Sequence, residues 1–440
     1  MMMMMIMSSF LFLLDISFMN WFLMFSIYFI IMNLPSNLNN LSIKAMWLSD
    51  HNSILLMFLN LWMFFMMMKM MKKKSLKMMW FMFLLIWMSF MVNSIFNFFF
   101  LFEMIFFIMF LYLMMNGKTM KRIQASLYMF FFTFMFSLPL LIMMMTMFYL
   151  SNSQNFSMLS YIQINNSFLN KMMMVFMMIV FLVKLPIYMF HMWLPKAHVE
   201  APLEGSMILA GVLLKLGGYG VIRFSFLTKN FFKMTSNLSN ILVFTAILGS
   251  LIMSLVCLRQ SDMKSIIAYS SVVHMSIMLM GIMSFSSMQG NQGSLMMMIA
   301  HGFISPLMFF SVDYIYNKMN SRSIFIMKSI NYKMSKFYIM WMFCLMLNMS
   351  FPIFMSFFSE VMVMASLSNN NMILIFILIM TLFFSAAYNI FLFIFCCHGK
   401  SIMKKSMKMN SLFMLYYSLM IYFVLVYPIF MLWYFSFNKY

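Results

Sequence analysis

The sequence predicts an all-α polytopic membrane protein with about 14 transmembrane helices. The first observation behind this prediction is composition, because 65% of the 440 residues are hydrophobic and only 8% are charged, whereas roughly a quarter are charged in soluble domains. The second is that the apolar residues form runs of about 20, the length that crosses the hydrocarbon core of a bilayer. So few charges exclude a soluble enzyme and a disordered chain.

Fourteen apolar runs divide the chain between polar breaks. They lie at 1–14, 17–34, 52–71, 78–93, 94–115, 126–149, 172–191, 203–224, 239–259, 263–284, 293–316, 337–367, 372–397 and 409–435. The first run is short, the fourth and fifth are nearly fused, and Pro352 interrupts the long twelfth run. No polar stretch is long enough to form a separate domain, so residues 1–440 are expected to form a single transmembrane domain.

Alternate loops differ strongly in positive charge. The chain has 28 Lys and Arg against 8 Asp and Glu, a net charge of +20. Loops that follow odd-numbered runs contain 20 of these cations, and the other loops with the C-terminus contain 6. Cationic loops stay on the negative side of a membrane. An even number of spans is therefore expected, with both termini on the outer, positive side.

Six ionisable side chains fall near the centres of predicted spans. They are Glu103, Lys184, Lys215, His274, His301 and Glu360. Such a group is costly inside a bilayer unless it is paired or hydrated, so each needs an explanation. For the lysines and glutamates the alternative to a functional role is a static ion pair. For the histidines the alternative is a helix–helix hydrogen bond.

These residue types suit proton transfer. Burial disfavours the charged forms of lysine and glutamate, and a close partner of opposite charge restores them. The proton affinity of a buried lysine therefore depends on the distance to its carboxylate partner, so a small movement can load or unload a proton. Histidine adds a group that titrates near neutral pH. The series Glu, Lys, Lys, His, Glu predicts a proton relay with an acid at each end.

Two prolines predict broken helices beside these charges. Pro186 follows Lys184 by two residues, and Pro352 precedes Glu360 by eight. Proline removes a backbone donor and opens a helix, which a membrane tolerates only where the freed groups line protein or water. The sequences LPIYMF at 185–190 and FPIFMS at 351–356 resemble each other and fall in the seventh and twelfth runs. Two segments that are five spans apart cross the membrane in opposite directions, which is the signature of inverted repeats in transporters.

The predicted organisation follows from this repeat. Residues 1–77 form N-terminal helices, 78–224 the first inverted five-helix repeat, 239–398 the second, and 409–440 a C-terminal helix. The segment LGGYG at 216–220 indicates close helix packing, since no strand precedes it.

No cofactor or metal site is predicted in this chain. The sequence lacks a P-loop and a dinucleotide-binding fingerprint, and Cys257, Cys344, Cys396 and Cys397 have neither zinc-ligand nor iron–sulfur spacing. The 72 Met and 58 Phe residues indicate an AT-biased organellar genome, because Met replaces other apolar residues with little penalty.

The stretch KLPIYMFHMWLPKAHVEAPLEGSMILAGVLLKLGGYGVIR at 184–223 resembles the antiporter-like membrane subunits of respiratory NADH dehydrogenase, complex I. The resemblance continues with SDMKSIIAYSSVVHMS at 261–276 and AHGFISPLMFF at 300–310. It implies that Glu103, Lys184, Lys215, His274, His301 and Glu360 correspond to the charged residues of the family's fifth, seventh, eighth, tenth, eleventh and twelfth helices. Ile353, Ser356 and Ser359 replace a Pro, an Asn and a Gly of the family pattern, so a less pronounced break is expected in the twelfth helix.

The resemblance implies a proton-translocating subunit in the mitochondrial inner membrane. NADH, FMN, iron–sulfur clusters and ubiquinone would then be used by other subunits. The implied partners are further membrane-arm subunits, including antiporter-like paralogues, and lipids, with no role for nucleic acid. Two alternatives stay open: a free-standing cation/proton antiporter, and a scaffold subunit whose charges form static pairs.

Overall fold

The computed structural model describes residues 50–68, 73–117, 120–151, 153–156, 167–227, 236–284, 288–330, 334–368 and 372–399. The runs expected at 1–14, 17–34 and 409–435 lie outside these residues, and so do the N-terminal and C-terminal ends of the predicted division into domains.

Helices account for almost all of the described residues. They are α1 (His51–Met68), α2 (Lys73–Met91), α3 (Ile95–Asn116), α4 (Lys121–Ser151), α5 (Ser167–Lys184), α6 (Trp193–Glu200), α7 (Leu203–Ile208), a π-helical segment (Leu209–Leu213), α8 (Leu214–Leu227), α9 (Ser236–Arg259), α10 (Met263–Met283), α11 (Met288–Met319), α12 (Ser335–Asn348), α13 (Met355–Ser368) and α14 (Met372–Cys397). The predicted all-α class is confirmed, and no named strand occurs in the described ranges.

Seven helical stretches are long and apolar enough to cross a membrane. They are Ile95–Asn116, Lys121–Tyr149, Leu203–Ser225, Ser239–Arg259, Met263–Met283, Met288–Met319 and Met372–Cys397. Shorter apolar helices lie at Asn52–Met67, Ser75–Met91, Val175–Lys184 and Met355–Ser368. Two of the shorter ones, at Lys184 and at Met355, border the predicted helix breaks.

The helix of the seventh run is broken where Pro186 predicts it. Helix α5 ends at Lys184, and the helical pattern resumes at Trp193. Pro186 disfavours helical geometry in the residue before it and supplies no backbone donor. The break also contains Met189 in the left-handed region, at φ 83°. Trp193 Nε1 donates to the carbonyl of Val183 over 3.0 Å, which satisfies one of the acceptors at the end of α5.

The helix of the twelfth run is interrupted between Asn348 and Met355. The replacements in the family pattern predict a weaker break, yet the helix stops completely, because Pro352 is retained and two other residues adopt left-handed backbone. These are Ser350, at φ 55°, and Ile353, at φ 92°. Ser356 Oγ donates to the carbonyl of Leu347 over 3.2 Å and so supports the broken end.

The glycine-rich segment at 216–220 lies against the seventh-run helix. A Cβ added to Gly217 would lie 3.1 Å from Leu185 Cγ and 3.4 Å from the backbone carbon of Lys184, and one added to Gly220 would collide with the Phe181 ring. The predicted close helix packing is confirmed. As a result, the backbone that carries Lys215 lies directly beside the break at Lys184.

Helices α10 and α11 form the centre of the described bundle. All but one of the α10 residues from Met263 to Met283 are buried, as is α11 from Gly293 to Ile315. Helix α10 packs against α9 and α11, and α11 packs against α13. By contrast, α4 and α14 expose many large apolar side chains, such as Phe131 and Phe383. The polar side chains described next therefore lie inside the bundle, away from its apolar outer faces.

Candidate functional site

Glu103 and Lys184 form a close ion pair within the membrane-spanning region. Lys184 Nζ lies 2.6 Å from Glu103 Oε1. The lysine side chain is fully buried, whereas 22% of the glutamate side chain is exposed. Because Lys184 is the last residue of α5, its ammonium also lies at the negative end of a helix dipole.

Lys215 is the second residue after the π-helical segment, which ends at Leu213. The π-helical turn changes the backbone pairing, and the carbonyl of Ala210 accepts a hydrogen bond of 2.6 Å from Lys215 Nζ. The same nitrogen lies 2.7 Å from Nδ1 of His301. Lys215 is fully buried, so a carbonyl dipole and an imidazole surround its amino group.

His301, His274 and Glu360 continue the row of polar groups from Lys215. The ring centroids of His301 and His274 are 5.7 Å apart. Nδ1 of His274 lies 4.0 Å from Oε1 of Glu360, which is longer than a direct hydrogen bond. Ser350 Oγ donates to the same carboxylate oxygen over 2.5 Å. The left-handed turn of the twelfth-run break therefore places a donor on the acid at the end of the row.

The six residues predicted from the sequence thus fall into two groups. Glu103 contacts Lys184, and Lys215, His301, His274 and Glu360 follow one another. Among the described residues, no hydrogen bond or ion pair joins Lys184 to Lys215. The two groups meet through the backbone contact of Gly217 with Lys184 and Leu185.

Sequence reasoning missed His198. This histidine is fully buried, and its ring stacks on Phe309 with centroids 4.7 Å apart. Within the described part of the chain, neither ring nitrogen has a hydrogen-bond partner. The side chain lies within electrostatic range of Lys215 and Lys264. The hydropathy pattern did not single out His198, because it predicts that the polar segment around 196–204 is a loop between two spans.

Two ion pairs were also missed, one of them buried and one partly exposed. Lys264 Nζ lies 3.8 Å from Asp313 Oδ1, and Arg223 Nη2 lies 3.1 Å from Asp50 Oδ2. Arg223 Nε also donates to the Tyr219 hydroxyl over 2.7 Å. All four charged residues lie near the ends of apolar runs, where charges are usual. Their pairing across long sequence separations is visible only in three dimensions.

The arrangement brings together groups that exchange protons. Lysine, histidine and carboxylate side chains can each accept and release a proton, and they lie in a bundle interior that disfavours net charge. Within the described ranges, no group of three or more His, Cys, Asp or Glu side chains is placed to hold a metal ion.

Comparisons with known proteins agree with the fold and identify the family. Residues 92–386 match the family model described as NADH:quinone oxidoreductase/Mrp antiporter, transmembrane. NADH-ubiquinone oxidoreductase chain 4 of Rhipicephalus sanguineus is 39% identical over 327 residues, which cover 73% of this chain and 72% of the relative. The protein of the same name from Apis mellifera ligustica is 38% identical over 308 residues, or 70% and 67% of the two chains.

A solved structure shares the fold. A chain of respiratory complex I from Thermus thermophilus with bound NADH superposes with a TM-score of 0.83 at 19% identity, covering 93% of this chain and 89% of that chain.

The resemblance predicts chain 4 of the family, since it implies a glutamate in that chain, and a lysine in the paralogous chains 2 and 5, at the position of Glu360. The curated relatives of that name confirm the predicted family. The chain belongs to the NADH-ubiquinone oxidoreductase chain 4 family.

Proposed function

We propose that this chain is a proton-translocating core membrane subunit of respiratory complex I. Other subunits of the complex transfer electrons from NADH to ubiquinone, and this chain couples that reaction to proton movement. The observation that carries the proposal is the row Lys215, His301, His274 and Glu360, whose side chains follow one another inside the bundle beside the Glu103–Lys184 pair.

The Glu103–Lys184 pair sets the starting state of the relay. With the carboxylate 2.6 Å away, the ammonium form of Lys184 is stabilised. Withdrawal of Glu103 removes that stabilisation, and the buried lysine then favours its neutral form. The released proton moves toward Lys215, which lies two residues before Gly217, the residue that packs against Lys184 and Leu185. Movement of one carboxylate thereby changes the proton occupancy of the whole coupled set.

Transfer through the second group moves one proton to three acceptors in turn, the imidazoles of His301 and His274 and the carboxylate of Glu360. Lys215 gives its proton to Nδ1 of His301 over the 2.7 Å contact and becomes a neutral amine. His301 passes a proton to His274, and His274 passes one to the carboxylate of Glu360. Because the His274–Glu360 distance of 4.0 Å exceeds a direct hydrogen bond, these steps require the side chains to approach each other or a water to bridge them. The hydrogen bond from Ser350 holds that carboxylate in its orientation. Moving one charge against a membrane potential costs about 2.3 kcal/mol per 100 mV, and the redox reaction in the other subunits supplies this free energy.

The proposal includes a topology. Fourteen helices cross the mitochondrial inner membrane, with both termini on the intermembrane-space side, in keeping with the 20-to-6 distribution of cationic residues. Residues 78–224 and 239–398 form inverted repeats, which the helix breaks after Lys184 and before Met355 support. Residues 1–77 precede the first repeat, and 409–440 form a final helix.

The proposal also assigns partners. The chain lies among other membrane-arm subunits of complex I, including its antiporter-like paralogues, and is surrounded by lipid. NADH, FMN, iron–sulfur clusters and ubiquinone bind to other subunits. A relay without redox groups in this chain requires such partners, because its protons move only when energy arrives from outside it.

Reconstitution of the assembled complex with Lys184→Met tests the proposed function. NADH oxidation and proton flux are measured together in the same vesicles. We expect assembly to persist while the protons moved per NADH fall. Lys196→Met is the matched control, because Lys196 is exposed and contacts the Tyr128 ring. Undiminished pumping by Lys184→Met would refute the relay, and loss of assembly alone would favour a scaffold. Sodium or potassium transport without partner chains would favour a free-standing antiporter.

A further inference from the structure

Two phenylalanine rings contact the Lys184 ammonium, and the proton relay above gives them no role. Lys184 Nζ lies 3.3 Å from the centroid of the Phe102 ring and 4.3 Å from that of Phe106. Both rings are almost completely buried. A cation within about 6 Å of a ring centroid is attracted by the negative charge density of the ring face, and the attraction grows when water is excluded.

Helix α3 presents all three partners of this lysine. Phe102 and Phe106 are four residues apart and therefore share a helix face, with Glu103 next to Phe102. The rings of Phe102 and Phe106 pack edge to face at 5.6 Å, and Phe102 also packs on Phe181 at 5.6 Å. These contacts fix the ring faces. The Glu103 carboxylate differs from them because its side chain is 22% exposed and so has room to move.

We propose that Phe102 and Phe106 are positioning residues that hold the Lys184 ammonium in place when the Glu103 carboxylate withdraws. The inference rests on the proposed function, since it concerns the lysine of the relay. The ring faces attract the cation but, unlike a carboxylate, cannot accept its proton. They stabilise the charged lysine by a fixed amount that does not change as Glu103 moves. Because this contribution is constant, only the movement of Glu103 changes the proton affinity of Lys184, and the lysine nitrogen stays in place while it discharges.

The test uses Phe102→Leu and Phe106→Leu in the purified complex, reconstituted in proteoliposomes. The readout is the number of protons moved per NADH oxidised, followed from neutral to alkaline pH. Because proton movement is expressed per NADH oxidised, a variant that only slows electron transfer leaves this ratio unchanged. Without the ring the charged lysine is less stable, so pumping is lost at lower pH than in the unmodified complex. We expect Phe102→Leu to displace the alkaline limb by about one pH unit, and Phe106→Leu to displace it less, because its ring is farther from the nitrogen.

Phe98→Leu is the matched control. Phe98 lies one turn earlier on α3, is equally buried and stacks on Phe102 at 5.6 Å, so its loss creates a similar cavity beside the same ring. We expect its pH profile to match that of the unmodified complex. Phe102→Tyr retains the ring face and should restore the profile. If Phe102→Leu fails to assemble, the comparison of Phe106→Leu with Phe106→Tyr gives the same test.

Identical pH profiles for the leucine variants at 98, 102 and 106 would overturn the inference. The result is separable from failure of the proposed function. If Lys184→Met abolishes pumping while Phe102→Leu behaves like Phe98→Leu, the relay stands and the aromatic residues only fill space. If Lys184→Met pumps normally, the relay itself is wrong.

Discussion

The Lys215 side-chain nitrogen lies 2.7 Å from Nδ1 of His301, so two basic groups share one buried contact. A hydrogen bond between them requires one nitrogen to act as an acceptor. Only one of the two nitrogens can therefore hold a proton that points at the other. The carbonyl of Ala210 accepts a second hydrogen bond of 2.6 Å from the lysine and holds it in position. The contact is arranged for a proton to move between two sites, whereas a static ion pair would place an acid beside the lysine.

Lys215 and His301 are expected to act as a unit. Lys215→Met and His301→Leu should each reduce proton flux per NADH by about tenfold or more. Loss of a positioned proton-transfer group typically costs about 100-fold or more, so tenfold is a lower limit. The double variant should be no worse than either single variant, because the contact is already lost. Flux and assembled complex are measured for all three. Additive losses would mean that the two residues work independently.

Glu360 is expected to be needed as an acid and not only as a hydrogen-bond acceptor. Glu360→Gln keeps the size of the side chain and an oxygen that can accept from Ser350, but its amide cannot carry a proton. We expect normal assembly with proton flux strongly reduced. Ser350→Ala removes only the donor and should have a smaller effect, since the carboxylate itself remains. Equal flux in Glu360→Gln and the unmodified complex would exclude the glutamate from the route.

The sequence was sufficient to single out six ionisable residues in predicted spans and insufficient to pair them. The free-energy cost of an ionisable side chain in a bilayer singled out Glu103, Lys184 and Glu360. Pro186 and Pro352 located the two helix breaks. That Lys215 pairs with an imidazole 86 residues away depends on helix packing, which hydropathy does not encode. His198 was missed for the same reason, because its burial results from the return of the chain into the bundle after the break at Lys184.

The indole of Trp193 is expected to stabilise the broken seventh-run helix. Its Nε1 donates to the carbonyl of Val183, a group that the end of α5 leaves without a helical partner. Trp193→Phe removes this donor and should destabilise the chain by about 1–3 kcal/mol, the cost of a buried unsatisfied polar group. Thermal stability of the assembled complex reports the loss. The exposed Phe325→Leu serves as a control and should leave the melting temperature nearly unchanged.

The contact of Gly220 with Phe181 is expected to limit what position 220 accepts. A Cβ at Gly220 would overlap the Phe181 ring, which is fully buried between Phe102 and Phe224 and has little room to move. Gly220→Ala should therefore destabilise the chain by about 1–3 kcal/mol through overpacking and lower the yield of assembled complex. Phe181→Leu alone should also destabilise, because it leaves a cavity. Combined, the two changes relieve the overlap and fill part of the cavity, so the double variant should assemble better than Gly220→Ala alone. A double variant that assembles no better than Gly220→Ala would mean that the glycine is required for its backbone freedom and not for the close approach of the two helices.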